Sequence, residues 1–82
     1  MQISEKDNFL TSDFSAASAA LALEFNLLFL DRTSGDGRVT FVFQRTAEIE
    51  KAMADHFAGR LNIPTMKYFS AQRILKTRLH NL

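Results

Sequence analysis

The C-terminal part of the chain carries the residues whose types and spacing best suggest chemistry. From residue 60 onward there are five Lys or Arg and no Asp or Glu. On a helix, with about 100° between residues, most of these cations fall on two strips of surface. The first basic stripe contains Phe69, Arg73, Lys76 and His80, and the second basic flank contains Lys67 and Arg78. Cations one turn apart can follow a phosphate backbone and an exposed Phe can stack on an unpaired base, so these six residues are candidate nucleic-acid contacts.

Two other interpretations of the same helix stay open. The cations can form the solvated face of an amphipathic helix, since basic residues favour the C-terminal end of a helix dipole. In that case we expect Phe69 to pack under the second helix or the hairpin described below. Alternatively, the basic face contacts an acidic protein surface.

The distribution of charge is asymmetric along the chain. The formal net charge is +1, but residues 1–37 sum to −4 and residues 38–82 to +5. Such a split is typical of a chain with one polyanion-facing end. It is equally compatible with two halves that complement each other within a fold or a dimer.

No constellation of residues predicts catalysis or metal binding. The chain has no Cys, and its two His, His56 and His80, are far apart in sequence, which does not suit zinc. Asp55 and His56 are adjacent and point about 100° apart on a helix, so they form no oriented pair. We therefore expect no enzyme activity, metal, cofactor or small-molecule substrate.

The remaining polar residues have simpler structural roles. Ser12, Ser15 and Ser18 could suggest a nucleophile, but we expect no base to reach them, and capping explains Ser12. Asp13 is expected to cap a helix, with a partner contact as the alternative. The loop over residues 31–38 matches neither an EF-hand nor a Walker A loop and is interpreted as a hairpin turn.

A β-hairpin over residues 26–44 is the clearest structural signal. Apolar runs flank a turn over residues 33–37 that contains two Gly. Val39, Phe41 and Phe43 alternate with polar or smaller residues and give one strongly apolar face. A short strand over residues 8–11 is expected at the edge of the same sheet, and the eight Phe are expected to fill the core.

Three helices complete the predicted order β-α-β-β-α-α. The first covers residues 12–25 and is rich in Ala. Its buried stripe is Phe14, Ala17, Leu21 and Phe25, or alternatively Ser18 and Leu21 with Glu24 outward. The second begins after Thr46, buries Ile49, Met53 and Phe57, and ends at Gly59 as C′ residue. The third begins at about Thr65, after Pro64, and buries Tyr68, Ala71, Leu75, Leu79 and Leu82. The predicted fold class is α+β: a small antiparallel sheet of three strands, covered by three helices on one side.

The Ala-rich helix also offers a possible surface for self-association. Its smooth face would consist of Ala16, Ala19, Ala20 and Ala22. A second copy could pack closely there, and a small core gains from oligomerisation. The alternative is close packing within the same chain.

Length and composition set further limits. Eighty-two residues make one domain, 1–82, with residues 1–8 expected to be frayed and a folded core from residue 9. The N-terminus does not resemble a signal peptide, and the longest apolar stretch, residues 16–30, is too short to span a bilayer. With no Cys, a reducing compartment is expected. We therefore expect a cytoplasmic protein without membrane contact.

Three segments together resemble a known family. They are the TSDF motif at residues 11–14, VTFVF at residues 39–43 and YFSAQRILKTRL at residues 68–79. The pattern is similar to that of a family of small uncharacterised proteins of bacteria, phages and other mobile elements, classified as a domain of unknown function. The resemblance covers about residues 8–80 and implies the same architecture and a mobile-element setting, but no activity.

Two functions are consistent with these observations. The first is a non-enzymatic accessory protein of a phage or mobile element that binds DNA or RNA through the basic face of the last helix. The second is a protein-interaction module that binds a host or replication protein, through the same helix or by forming a homodimer, without nucleic-acid contact.

Overall fold

The predicted order of elements is confirmed. A computed structural model describes residues 6–32 and 37–82. Its strands are β1 (Asn8–Thr11), β2 (Leu27–Asp31) and β3 (Thr40–Gln44), and its helices are α1 (Phe14–Ala22), α2 (Ala47–Phe57) and α3 (Thr65–His80). Most of the expected hairpin turn lies outside the described residues, but Gly37 has the positive φ predicted there, 79°. The fold is α+β.

The sheet has the order β1-β3-β2, so the second hairpin strand is central. Both neighbours pair with β3 in antiparallel fashion, and β1 is an edge strand as expected. Strand β3 begins at Thr40, so Val39 precedes it. In β2 the register shifts between Leu27 and Phe29, which makes Leu28 an extra residue at a β-bulge.

The two faces of the sheet are both apolar, but only one packs against the helices. Residues paired directly across antiparallel strands share a face. Phe41 and Phe43 belong to the core cluster that includes helix residues, together with their partners Phe9 on β1 and Leu27 and Leu30 on β2. Val42 is also fully buried, on the opposite face, where its register partners are Leu10 and Phe29.

The expectation that all eight Phe fill the core is wrong. Phe41 and Phe43 are buried, and three others are half-buried at the edge of the core: Phe9, Phe14 and Phe25. Phe14 meets Phe41 edge-on, with 6.4 Å between ring centroids, and so joins α1 to the sheet. The remaining three, Phe29, Phe57 and Phe69, are exposed.

Helix α1 is shorter than predicted because both ends carry capping geometry. Asp13, rather than Ser12, is the N-cap residue. At the other end, Phe25 N donates to Ala20 O at 3.1 Å and Glu24 N donates to Leu21 O at 2.9 Å. These two bonds form a Schellman motif in which Glu24 occupies the C′ position with φ of 68°.

The middle of α1 is enclosed on every side. Residues 16–20 are all fully buried, and five consecutive residues at about 100° each cover the whole circumference of a helix. Helix α1 contacts β1, α2 and α3. Within residues 16–20 the largest side chain is that of Ser18. Ser18 Oγ donates to Phe14 O at 2.8 Å, so its hydroxyl is satisfied without a partner on another element. A single buried stripe therefore does not describe α1.

The same burial removes the proposed Ala surface for a second copy. Ala16, Ala19, Ala20 and Ala22 all lie buried within one chain. The alternative, close packing within the same chain, is therefore correct. Self-association through another surface stays a prediction.

Helix α2 confirms its predicted caps and corrects its predicted buried face. Thr46 Oγ1 accepts from Ile49 N at 3.1 Å, and Gly59 is the C′ residue with φ of 73°. Ile49 and Met53 are buried as expected. Phe57, predicted to continue this apolar line, is instead exposed. Its ring lies edge-on to His56 at the helix end, beyond the part of α2 that faces the core.

Helix α3 packs mainly against α1, and its Leu75 reaches the same core cluster as Phe41 and Phe43 of the sheet. Its chief contacts are with α1, and Ala71 and Leu75 are its buried residues. Tyr68 and Leu79 are half-buried, but Leu82 lies beyond the helix and is exposed, contrary to expectation. Pro64 is the N-cap and provides no side-chain hydrogen bond. The opposite long face of α3 is exposed to solvent.

Close packing around α1 predicts a large effect of side-chain size. Ala20→Leu should destabilise the protein by roughly 1–3 kcal/mol, because the enclosed helix has no space for three more carbon atoms. Ala54→Leu is the matched control, since Ala54 is exposed on α2, and should change stability by no more than about 0.5 kcal/mol. Urea denaturation measures both. Equal free energies of unfolding for the two variants would contradict the enclosure of α1.

The C′ residues of α1 and α2, Glu24 and Gly59, both have positive φ and predict opposite effects for a reciprocal pair of substitutions. Glu24→Gly should stabilise the protein by about 1 kcal/mol, because a non-Gly residue with positive φ is strained. Gly59→Glu should destabilise it by about the same amount, although a Cβ atom there meets nothing within 4 Å. Thermal and urea unfolding check both signs. Stabilisation by Gly59→Glu would show that the C′ conformation is wrongly assigned.

Candidate nucleic-acid interface

Helix α3 carries all six predicted contact residues, and all six are exposed. They are Lys67, Phe69, Arg73, Lys76, Arg78 and His80. The helix has 16 residues and is therefore about 24 Å long. Because Ala71 and Leu75 face α1, the first basic stripe lies along one side of the free face and the second basic flank along the other. The basic residues thus border the free face of α3 along both sides.

Phe69 lies in solvent at the first basic stripe. Its exposed fraction is 62%. The alternative in which Phe69 packs under α2 or the hairpin is therefore wrong. An aromatic ring this exposed among cations has a free face on which a planar group can stack.

The cations of α3 have no anionic partner in the part of the chain that the structure describes. Ion pairs form around α2, where Arg45 contacts Glu50, and Asp55 accepts from Lys51 at 3.0 Å and lies 3.6 Å from Arg60. The Lys51 hydrogen bond, followed by the charges of Lys51 and Arg60, lowers the pKa of Asp55. By contrast, the Lys and Arg side chains of α3 make no ion pair with these residues. Their positive charge is available to an external anion.

Sequence reasoning missed two apolar residues that lie between the basic strips. Met66 is 75% exposed and Ile74 is 51% exposed. Met66, Ser70 and Ile74 are four residues apart, so they share one line along the helix. The spacing is present in the sequence. It does not by itself indicate a second apolar line, because the stronger line through Leu75 already accounts for the buried side of the helix. The free face of α3 is thus an apolar strip with cations on both sides.

Shallow pockets open along this free face. One, of about 270 Å³, is lined by Met66, Phe69, Ser70 and Arg73. Another, of about 350 Å³, lies further along and includes Ile74, Thr77 and Arg78. A third, of about 320 Å³, lies between α1 and α3, where Glu24 and Lys67 are both at its border.

The expectation that no base reaches the serines of α1 is wrong. Ser15 Oγ lies 3.3 Å from His56 Nε2 on α2, 41 residues away in sequence. It also donates to Asp13 Oδ1 at 2.7 Å. Asp13, Ser15 and His56 therefore form a chain of contacts between the start of α1 and the end of α2.

The polarity of this chain does not suit nucleophilic catalysis. A serine hydroxyl has one proton, and here Asp13 accepts it, so the His56 nitrogen must donate to Ser15 Oγ. A general base would instead accept that proton, and its carboxylate partner would orient the imidazole. The Asp13 carboxylate also accepts from Ser15 N at 2.8 Å and Ala16 N at 3.1 Å. The arrangement is a helix N-cap linked to a neighbouring helix.

Residues 6–32 and 37–82 contain neither a cluster of metal-ligating side chains nor a membrane-spanning helix. These residues contain no group of three His, Cys, Asp or Glu arranged to hold a metal ion. None of the described helices combines the length and apolar character required to cross a membrane.

Comparison with known families agrees with the sequence pattern. A family model described as "Domain of unknown function (DUF5659)" matches residues 6–81. The chain belongs to this family. The DUF5659 match covers every described helix and strand and confirms the expected membership of an uncharacterised domain family. Neither a curated protein nor a solved structure matches the chain. In this DUF5659 domain, α3 is the element whose exposed charges bear most directly on function.

The capping network of Asp13 predicts a pH-dependent loss of stability. Hydrogen bonding from the Ser15 hydroxyl, then from Ala16 N, lowers the pKa of Asp13. A carboxylate with a lowered folded-state pKa stabilises the fold above its unfolded pKa, about 3.9, and loses that effect as pH falls through the folded value. Asp13→Ala should therefore cost about 1 kcal/mol at pH 7 and progressively less below about pH 4.

Ser12→Ala is the control for this prediction. Ser12 Oγ makes one long contact, 3.4 Å to Thr40 Oγ1, and does not cap α1. Its substitution should change the free energy of unfolding by no more than about 0.5 kcal/mol. Urea denaturation at several pH values measures both variants. A cost for Ser12→Ala as large as that for Asp13→Ala would contradict the assignment of the cap.

Proposed function

We propose that the protein is a non-enzymatic nucleic-acid-binding protein that uses the free face of α3. The observation that supports this most strongly is the set of exposed cations on a helix without acids, none of which has an anionic partner among the described residues. Leaving such charge unpaired costs little in water and favours binding to a polyanion through release of counterions.

The arrangement of the cations suits a phosphate backbone. Arg73, Lys76 and His80 lie three or four residues apart, about one helical turn of 5.4 Å. Lys67 and Arg78 lie on the opposite border of the free face, where they can contact a second stretch of backbone. Arg78 and His80 also lie in the last turn of α3, where the helix dipole favours positive charge. That effect explains their compatibility with the helix, but it does not account for Lys67 and Arg73 nearer its start.

Two further expectations belong to this proposal. The resemblance to proteins of phages and mobile elements suggests an accessory role in the handling of their DNA or RNA. The absence of Cys favours a reducing compartment, and in a bacterium the cytoplasm is where such a partner is found.

Salt dependence and charge removal test the proposal together. If α3 contacts phosphates, the logarithm of the binding constant should fall linearly with the logarithm of salt concentration, by about 0.7 for each single-strand phosphate neutralised. Arg73→Gln with Lys76→Gln should weaken binding and reduce this slope by about 1.4. Fluorescence anisotropy with labelled oligonucleotides measures both quantities.

The matched control is Lys51→Gln on α2 with Arg60→Gln in the segment that follows α2. It removes the same charge from exposed side chains that pair with Asp55, and surface ion pairs of this kind contribute only about 0–1 kcal/mol to stability. Affinity and salt slope should be nearly unchanged in this variant. No measurable binding by the native protein at low salt, or an equal loss in both double variants, would refute the proposal.

The second candidate is a protein-interaction module that uses the same face. The exposed Met66 and Ile74 favour it, since apolar side chains surrounded by charge are common in protein interfaces. This function predicts weak salt dependence, resistance of the complex to nuclease, and loss of the partner in Ile74→Asp but not in Phe57→Asp. A pair of α3 helices from two copies would place like charges together, so the expected partner is acidic rather than a second copy.

A further inference from the structure

Four side chains near the start of α3 line a small pocket, here called the notch, whose residue types suit a nucleobase. Met66, Phe69, Ser70 and Arg73 line a pocket of about 270 Å³. These residues are at positions i, i+3, i+4 and i+7, so they are neighbours on the helix surface. All four are exposed, and none belongs to the core cluster.

Each side chain in this notch can contribute a different contact to a base. The Phe69 ring offers an aromatic face for stacking, which is tolerant of sequence because every base has a π-face. The Met66 thioether is flexible and polarizable and adapts to an aromatic edge. Ser70 carries a hydroxyl that both donates and accepts, and the Arg73 guanidinium can contact the phosphate of the same nucleotide.

The notch requires an unpaired base. In a duplex the faces of the bases are covered by their neighbours, and the exposed backbone provides no surface on which a Phe ring can stack. A phosphate-only interface would therefore have no use for Met66 and Phe69 at its centre. In a single strand the same side chains can be covered by a base while Arg73 and Lys76 contact its backbone.

We infer that the α3 interface selects single-stranded nucleic acid, with one unpaired base stacked on Phe69 in the notch formed with Met66, Ser70 and Arg73. This inference rests on the proposed function, because it assumes that the basic borders of α3 bind phosphates. It adds the form of the nucleic acid and the residue that recognises it.

Two exposed Phe residues provide a controlled test. Phe69 is on α3, and Phe57, with a similar exposed fraction of 64%, is on α2. Binding of a labelled oligothymidylate and of a hairpin duplex of the same length is measured by anisotropy at fixed low salt. Phe69→Ala should weaken single-strand binding by about 5- to 150-fold, the effect of one stacked base. Phe57→Ala should leave it unchanged, and Phe69→Trp should retain it.

The salt dependence separates stacking from charge. Phe69 is neutral, so Phe69→Ala should lower affinity without changing the slope of affinity against salt, whereas Arg73→Gln should change both. The native protein should also bind the single strand more tightly than the duplex, and Phe69→Ala should remove this difference.

The outcomes also distinguish this inference from the proposed function. If the native protein binds the duplex as tightly as the single strand, or if Phe69→Ala and Phe57→Ala behave alike, the inference is overturned and phosphate binding stands. If poly-glutamate binds as tightly as oligothymidylate, the notch recognises no base and the inference also fails. If neither nucleic acid binds, the proposed function itself is wrong and the inference falls with it.

Discussion

The enclosure of α1 is the constraint on which the other elements depend. Residues 16–20 are buried around the full circumference of the helix, so the sheet, α2 and α3 must all approach the same short stretch. Only side chains as small as Ala and Ser leave space for three neighbours at once, and Ser18 avoids an unsatisfied polar atom by bonding to Phe14 O. Ala is also the best helix former, so local preference and tertiary packing favour the same residues. As a consequence, the core is built around a helix whose side chains contribute little apolar surface.

The position of α3 follows from this arrangement. Helix α3 packs mainly on α1 through Ala71 and Leu75 and has no cover on its other side. A helix in that position is expected to be polar outside, and its Lys and Arg residues meet this expectation. Its exposed Met66, Phe69 and Ile74 do not, and none of the three belongs to the core cluster. Residues that stability does not explain are the ones for which binding is a reasonable explanation.

Local signals in the sequence were sufficient where the physical cause is local. Thr46 as an N-cap and Gly59 as a C′ residue were predicted correctly because capping depends on a few neighbouring residues. Exposure was harder to predict. Periodicity identifies an apolar line on a helix, but it does not show how far along the helix the packing partner extends. Phe57 continues the buried line of α2 but lies outside the core. The contact between Ser15 and His56 joins two helices and depends on their tertiary arrangement, so no sequence spacing indicates it. On α3, helical spacing in the sequence identified the cations and Phe69. That these side chains have no intramolecular partner among the described residues could be seen only from the packing of α3 on α1.

Binding of nucleic acid to the free face of α3 can be tested directly by an NMR titration of the labelled protein with oligothymidylate at low salt. Backbone amide shifts report contacts residue by residue, so they locate an interface without assuming which side chains form it. If α3 binds nucleic acid, the largest changes should fall on residues 66–78, α2 and the sheet should change little, and added salt should reverse the changes. Shifts concentrated on the sheet or on α2, or none along α3 at oligonucleotide concentrations well above that of the protein, would contradict it.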